Sequence, residues 1–179
     1  GPPAARPGFL RGAPLCPGAD GSGIMGGVEA AAQETPPMPP LPHIDKTPET
    51  ETEWFAALAA LTRFLRSPEG CPWDREQTAV SFARYAGEES GEYVEALETS
   101  SAAHAAEEFG DALFVLLSSA AAAEAEGRFT LKDALAAAHE KMVRRHAHVF
   151  DKTKAATSEE AVASWNRIKA EEKAARGQA

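Results

Sequence analysis

Four carboxylates at helical spacing are the residues of this chain best suited to chemistry. Glu89 and Glu92 stand three apart, as do Glu108 and Asp111. On a helix that spacing puts both members of a pair on one face. Carboxylates held so close repel one another unless a cation lies between them. Neither pair contains His or Cys, which argues against zinc, and the Glu-x-x-His signature of di-iron bundles is absent. Oxygen donors alone suit a hard cation such as Mg2+, which keeps several waters and shares its other positions with substrate phosphates.

Helices must present these groups. Thr50 and Glu53 have capping-box spacing and predict a first helix over about 51–66, with Trp54, Leu58, Leu61 and Leu65 on one stripe, ended by Pro68 and Gly70. Asp74, followed at the third position by Gln77, predicts the start of a second helix reaching about Glu98. The polar break at Thr99–Ser101 allows a third over about 102–126, closed by Gly127. Its apolar residues, Phe109, Leu113, Phe114, Val115, Leu116 and Leu117, cover most of the circumference, so it is expected at the centre of a bundle. Ala120–Ala123 permits close packing there, against a second copy of the chain. Uncompensated Glu108 and Asp111 on such a helix would cost several kcal/mol. Thr130 and Asp133 start a fourth helix to about Arg145, with Leu131, Leu135, Ala138 and Met142 inward, and Thr157 and Glu160 cap a fifth with Val162, Trp165 and Ile168 inward. With no strand-period segment and no glycine-rich phosphate loop, the fold class is all-α.

Composition sets the limits. Of the 13 prolines and 14 glycines, 11 and 8 fall in residues 1–50, where Phe9 is the only aromatic. Residues 1–48 therefore read as a disordered arm and 49–175 as the folded domain. The chain opens with Gly-Pro, and Met25 is a candidate start, so part of the arm is expected to be a tag remnant or an upstream extension. No secretory signal is expected, because Arg11 and prolines interrupt Phe9–Leu15. The formal charge of −9 disfavours non-specific binding to nucleic acid or anionic lipid. The longest small-apolar run, Ala112–Ala123, is too short to span a bilayer. Cys16 and Cys71 lie one in the arm and one in the domain, so a disulfide is not expected and a cytoplasmic location is.

The acidic runs, Glu88-Glu89-Ser90-Gly91-Glu92 and Glu108-Phe109-Gly110-Asp111, form the pattern EExxE followed by ExxD. With Cys71-Pro72-Trp73-Asp74 upstream, and Glu126-Gly127-Arg128-Phe129, Arg144-Arg145-His146-Ala147-His148-Val149-Phe150 and Trp165-Asn166-Arg167-Ile168-Lys169 downstream, the chain resembles the MazG family of nucleoside triphosphate pyrophosphohydrolases over roughly residues 54–174. Gly87 where the family commonly has an apolar residue, Gly91 inside the acidic motif and Ala147 in place of a usual proline are departures that leave the acids untouched.

The resemblance implies Mg2+-dependent hydrolysis of a nucleoside triphosphate to monophosphate and pyrophosphate, on a helical bundle completed by a homodimer or larger assembly. House-cleaning of non-canonical nucleotides is one such task. It assigns Glu89, Glu92, Glu108 and Asp111 as metal ligands, with Glu88 and Glu95 as candidates to hold a second cation or orient water. Lys141 and Arg145, four apart on one helical face, are assigned to phosphates and to charge on the leaving pyrophosphate, and Trp165 and Lys169 to the nucleotide. Simpler readings compete: helix C-terminal cations for Arg144 and Arg145, core packing for Trp165, and loop hydrogen bonds for His146 and His148. Trp73 is expected to anchor a turn, and Cys71, with no evident base, is not expected to act as a nucleophile. Two other functions fit the same residues: a narrow dUTP or phosphoribosyl-ATP pyrophosphohydrolase, and a non-catalytic nucleotide-binding regulator.

Overall fold

The computed structural model describes residues 46–150 and 154–177, within the unit Pro40–Ala179. The arm expected over 1–48 lies almost wholly outside the described residues. Those described form helices and no strand: α1 Glu51–Leu65, α2 Pro72–Glu76, α3 Ala79–Thr99, α4 Ala102–Ala125, α5 Leu131–Arg145, α6 Ala147–Phe150 and α7 Ser158–Arg176. None is long and apolar enough to cross a membrane.

Local chemistry sets most boundaries. Thr50 caps α1 with the reciprocal Glu53 bond of a capping box, and Thr130 and Thr157 cap α5 and α7 by accepting from the backbone N–H three residues on. Gly127 ends the α4 turn at φ 69°, a left-handed conformation that favours glycine. The second expected helix is corrected. Pro72 opens the short α2 from its first turn, Gln77 turns the chain extended at ψ 148°, and Thr78 rather than Asp74 caps α3, trading hydrogen bonds with Ser81. Asp74 is buried instead. The segment after α5, expected as a loop carrying His146 and His148, includes the single turn α6.

The centre of the fold is α4, packed on α3 along its length and on α1 across its other side. Alanine makes this approach close: Ala57 and Ala59 of α1, Ala79, Ala86 and Ala96 of α3, and Ala105, Ala112 and Ala120–Ala123 of α4 are all buried. At one end Phe82 fills the seam, with Trp73 stacked on Tyr85 and edge-on to Phe82, each pair at 6.0 Å. Trp73 is thus the anchor expected from the sequence. Burying a phenylalanine contributes about 1.5–3 kcal/mol.

Polar bonds fix the register. Glu126 accepts from the Ala79 N–H at 2.7 Å, and the Ser119 hydroxyl donates to the Ala79 carbonyl at 2.8 Å, which locks the start of α3 to the end of α4. Arg66 donates to the carbonyls of Asp74 and Gln77 and holds the α1–α3 connection in place. Glu124 takes two bonds from Arg63, at 2.8 and 3.0 Å, and one from the Leu131 N–H at 2.8 Å, so one carboxylate joins α1, α4 and α5.

The sequence placed apolar faces of α5 and α7 inward, and the chain itself does not bury them. No described residue of α5, α6 or α7 is buried, and Leu135, Met142 and Val162 are exposed. These helices pack on one another, and α5 meets α4 near their connecting turn. The stripe on α1 is also shifted, with Ala57, Ala59 and Thr62 buried and Trp54 exposed.

Two glycines give a test of this packing. An added Cβ at Gly87, inside α3, meets nothing within 4 Å, whereas at Gly70 it would lie 2.3 Å from the Phe64 carbonyl oxygen. In urea unfolding, Gly87→Ala is expected to gain about 0.5–1 kcal/mol and Gly70→Ala to lose stability. A stable Gly70→Ala would refute the packing of this turn.

Candidate metal centre

Between the aromatic cluster at one end and the far turn, the α3–α4 pair buries many alanines and also holds acids. Glu89 comes from the middle of α3 and Glu108 and Asp111 from the first half of α4, and one carboxylate oxygen from each lies within 4.8 Å of the others. Glu89 is 1 % exposed and Glu108 9 %, whereas Asp111 is half-buried at the rim. A cation with oxygen ligands at about 2.0–2.6 Å spans up to about 5 Å between opposite ligands, so three oxygens this close fit around one ion. Carboxylate donors, buried and converging, are a hard-cation set.

Electrostatics agree. Burial is the largest cause pushing the Glu108 carboxyl above the ordinary carboxylate range. Glu92, Asp111 and Glu107 push the same way, and only His104 opposes them. Asp111 is likewise raised, by burial first and then by Glu107 and Glu92. Glu92, the fourth expected ligand, is part-buried and acts on both groups by charge, but it is not one of the three whose oxygens converge. Glu88 and Glu95 are exposed.

The expected substrate residues gather elsewhere. Arg145 donates twice to Glu172, at 3.1 and 2.8 Å, and its guanidinium carbon lies 5.3 Å from the centre of the Trp165 ring, a cation–π separation. Arg144 and Arg176 approach the same carboxylate at 3.2 and 3.8 Å. The Glu172 carboxyl is lowered, first by Arg145 and then by Arg144, against an opposing effect of burial. Trp165 meets the His146 ring edge-on at 5.1 Å, and His146 in turn faces His148 at 5.6 Å. Lys141 is part-buried and Lys169 exposed, and neither makes an ion pair among the described residues. Helices α5 and α7 make no substantial packing contact with α3.

Residues 77–150 match the MazG nucleotide pyrophosphohydrolase domain, a span that contains all three converging acids together with Lys141 and Arg145. This region belongs to the MazG family. Over 122 residues, 68% of the chain, it is 42% identical to the nucleoside triphosphate pyrophosphohydrolase of Escherichia coli strain K12, of which that stretch is 46%. It is 38% identical over 119 residues to the nucleoside triphosphate pyrophosphohydrolase/pyrophosphatase MazG of Thermotoga maritima, covering 66% of this chain and 45% of that one. The uncharacterized protein YabN of Bacillus subtilis is 42% identical over 119 residues, 66% of this chain but 24% of its own length. The chain thus spans under half the length of these relatives. No solved structure matches it. The resemblance to this family rests on several separated motifs, and the fold brings three acids of one of them together. Sequence reasoning missed His104, although its positions three before Glu107 and four before Glu108 were legible as helical neighbours.

The raised carboxyls fix a sign. Below their ordinary values, 4.5 for Glu108 and 3.8 for Asp111, both groups are protonated whether the chain is folded or not, and they cost nothing. Above those values the unfolded chain ionises first, so the metal-free fold loses stability as pH rises through the raised values. Glu108→Gln, measured without metal, is therefore expected to gain stability over the parent between pH 4 and pH 7. A constant difference across that range in thermal melts would exclude the effect.

Proposed function

We propose that this chain is a Mg2+-dependent nucleoside triphosphate pyrophosphohydrolase. The observation that carries the reading is the convergence of Glu89, Glu108 and Asp111 in a domain of the MazG family. The names of the E. coli and Thermotoga relatives support the same activity. Glu89, Glu108 and Asp111 hold the cation. Glu92, whose charge already acts on Glu108 and Asp111, closes the set from the rim. When bound, the cation draws charge from the phosphate oxygens.

The chain's own residues do the rest. The alanine seam keeps bulk water from the buried ends of Glu89 and Glu108. Glu88, exposed beside Glu89, is placed to orient the attacking water and accept its proton. Water adds across the anhydride between the α- and β-phosphates, and the bridging P–O bond breaks to give monophosphate and pyrophosphate. Lys141 and Arg145 offset charge on the leaving pyrophosphate, Lys as a point charge and Arg through its planar fork. Trp165 and Lys169 face the nucleotide from α7.

A second copy completes the site. The apolar residues left exposed on α3 and α4, among them Val94, Leu97, Phe109 and Leu116, and those on α5 and α7 are more than a small monomer leaves to water. A homodimer covers them and brings the cations of one copy's α5–α7 to the acids of another. Sizing by light scattering is expected to give at least twice the 18.9 kDa chain mass, and a monomer at assay concentration would refute assembly.

The reaction is tested by ion-exchange analysis of products from a panel of canonical and modified triphosphates with Mg2+. Equal monophosphate and pyrophosphate are expected, with Glu89→Gln reducing the rate at least about 100-fold and Arg145→Ala chiefly raising KM. Activity confined to one triphosphate would favour a narrow-specificity enzyme. Nucleotide binding without turnover would replace the hydrolase reading with a regulator.

A further inference from the structure

The turn of α4 that leads into the acidic cluster carries His104, a side chain with no part in the reaction described above. Its Nδ1 lies 3.6 Å from a Glu107 oxygen and its Nε2 lies 3.6 Å from Glu108 Oε1. Both separations follow from helical spacing, three residues in the first case and four in the second. The His104 side chain is 47 % exposed and that of Glu108 11 %, so a half-exposed ring contacts a nearly buried carboxylate.

The other described arginines that make ion pairs are committed elsewhere: Arg63 to Glu124, Arg128 to Glu126, Arg144, Arg145 and Arg176 to Glu172, and Arg167 to Glu171. His104 reaches Glu108 of the cluster. A glutamate has three side-chain torsions, and the charges of Glu92 and Asp111 act against that of Glu108. The imidazole lies against one oxygen of that carboxylate.

We propose that His104 is a positioning residue for the metal centre, holding the Glu108 carboxylate in the rotamer that converges with Glu89 and Asp111 on a divalent cation. The ring acts from one turn earlier on the same helix, with its Nε2 3.6 Å from one oxygen of the ligand. Loss of a side chain that orients a metal ligand typically costs about 10–100-fold in affinity. The inference rests on Glu108 being a cation ligand, and it adds the group that preorganises it.

The test is Mn2+ binding to the full chain, followed by electron paramagnetic resonance and by competition with Mg2+, with no nucleotide present. His104→Ala is expected to weaken both ions about 10-fold. His104→Gln, whose amide nitrogen reaches the position of Nε2, is expected to stay within about threefold of the parent. His104→Asn, whose amide stops at the position of Nδ1, is expected to fall with alanine, and the Gln and Asn pair carries the test if the alanine variant does not fold. Parental affinity in His104→Ala would overturn the positioning role alone, as would equal losses in Gln and Ala. A loss confined to Mn2+ would make the ring a ligand and overturn it as well. A parent chain that binds neither ion would overturn this role together with the metal centre.

Discussion

Everything in this molecule depends on the placing of like charges inside a dry seam. Two carboxylates that are nearly or wholly removed from solvent, with a third at the rim, face each other between α3 and α4. Their repulsion opposes the packing that creates the seam. Small residues reconcile the two, because alanines above and below let the helices approach while the acids share the gap. Larger neighbours would hold the helices apart and spread the oxygens beyond the reach of one ion. The acidic cluster and the domain's architecture thus meet in the choice of alanine.

The remaining contacts hold that seam in register. The Glu126 bond to the first amide of α3 and the Ser119 bond to the neighbouring carbonyl fix one end of the antiparallel pair. The Trp73, Phe82 and Tyr85 cluster supplies the bulk the alanines lack. Because α3 and α4 are rigid over many turns, a register set at that end carries along the seam to Glu89 and Glu108. The short α2 and Arg66 belong to this end of the fold, and their task is to deliver the start of α3 to α4 at the right height.

Much of this was legible in the sequence, for reasons that can be named. Capping residues stood at fixed offsets, so α1, α4, α5 and α7 could be bounded within a residue or so. The two acidic pairs could be set on helical faces, and the apolar girth of α4 marked it as central. The start of α3 was misjudged because two cap signals lay four residues apart, and the proline before the first favoured a separate short helix. The buried faces of α5 and α7 were misjudged for another reason: periodicity marks which side wants cover and says nothing about which chain provides it. Spacing set four acids on facing helices, and three of them converge.

Glu124 draws together α1, α4 and the first amide of α5, and beyond it none of the described residues of α5, α6 or α7 is buried. The burial that holds this fold together is therefore concentrated in its first four helices. Substitutions at the buried positions of α1, α3 and α4 strike the seam and act on the native state. Those in α5–α7 cost the isolated fold little. The exposed faces of the later helices can thus change without first acquiring a reserve of stability, while the seam with its acids bears the whole cost of any change made within it.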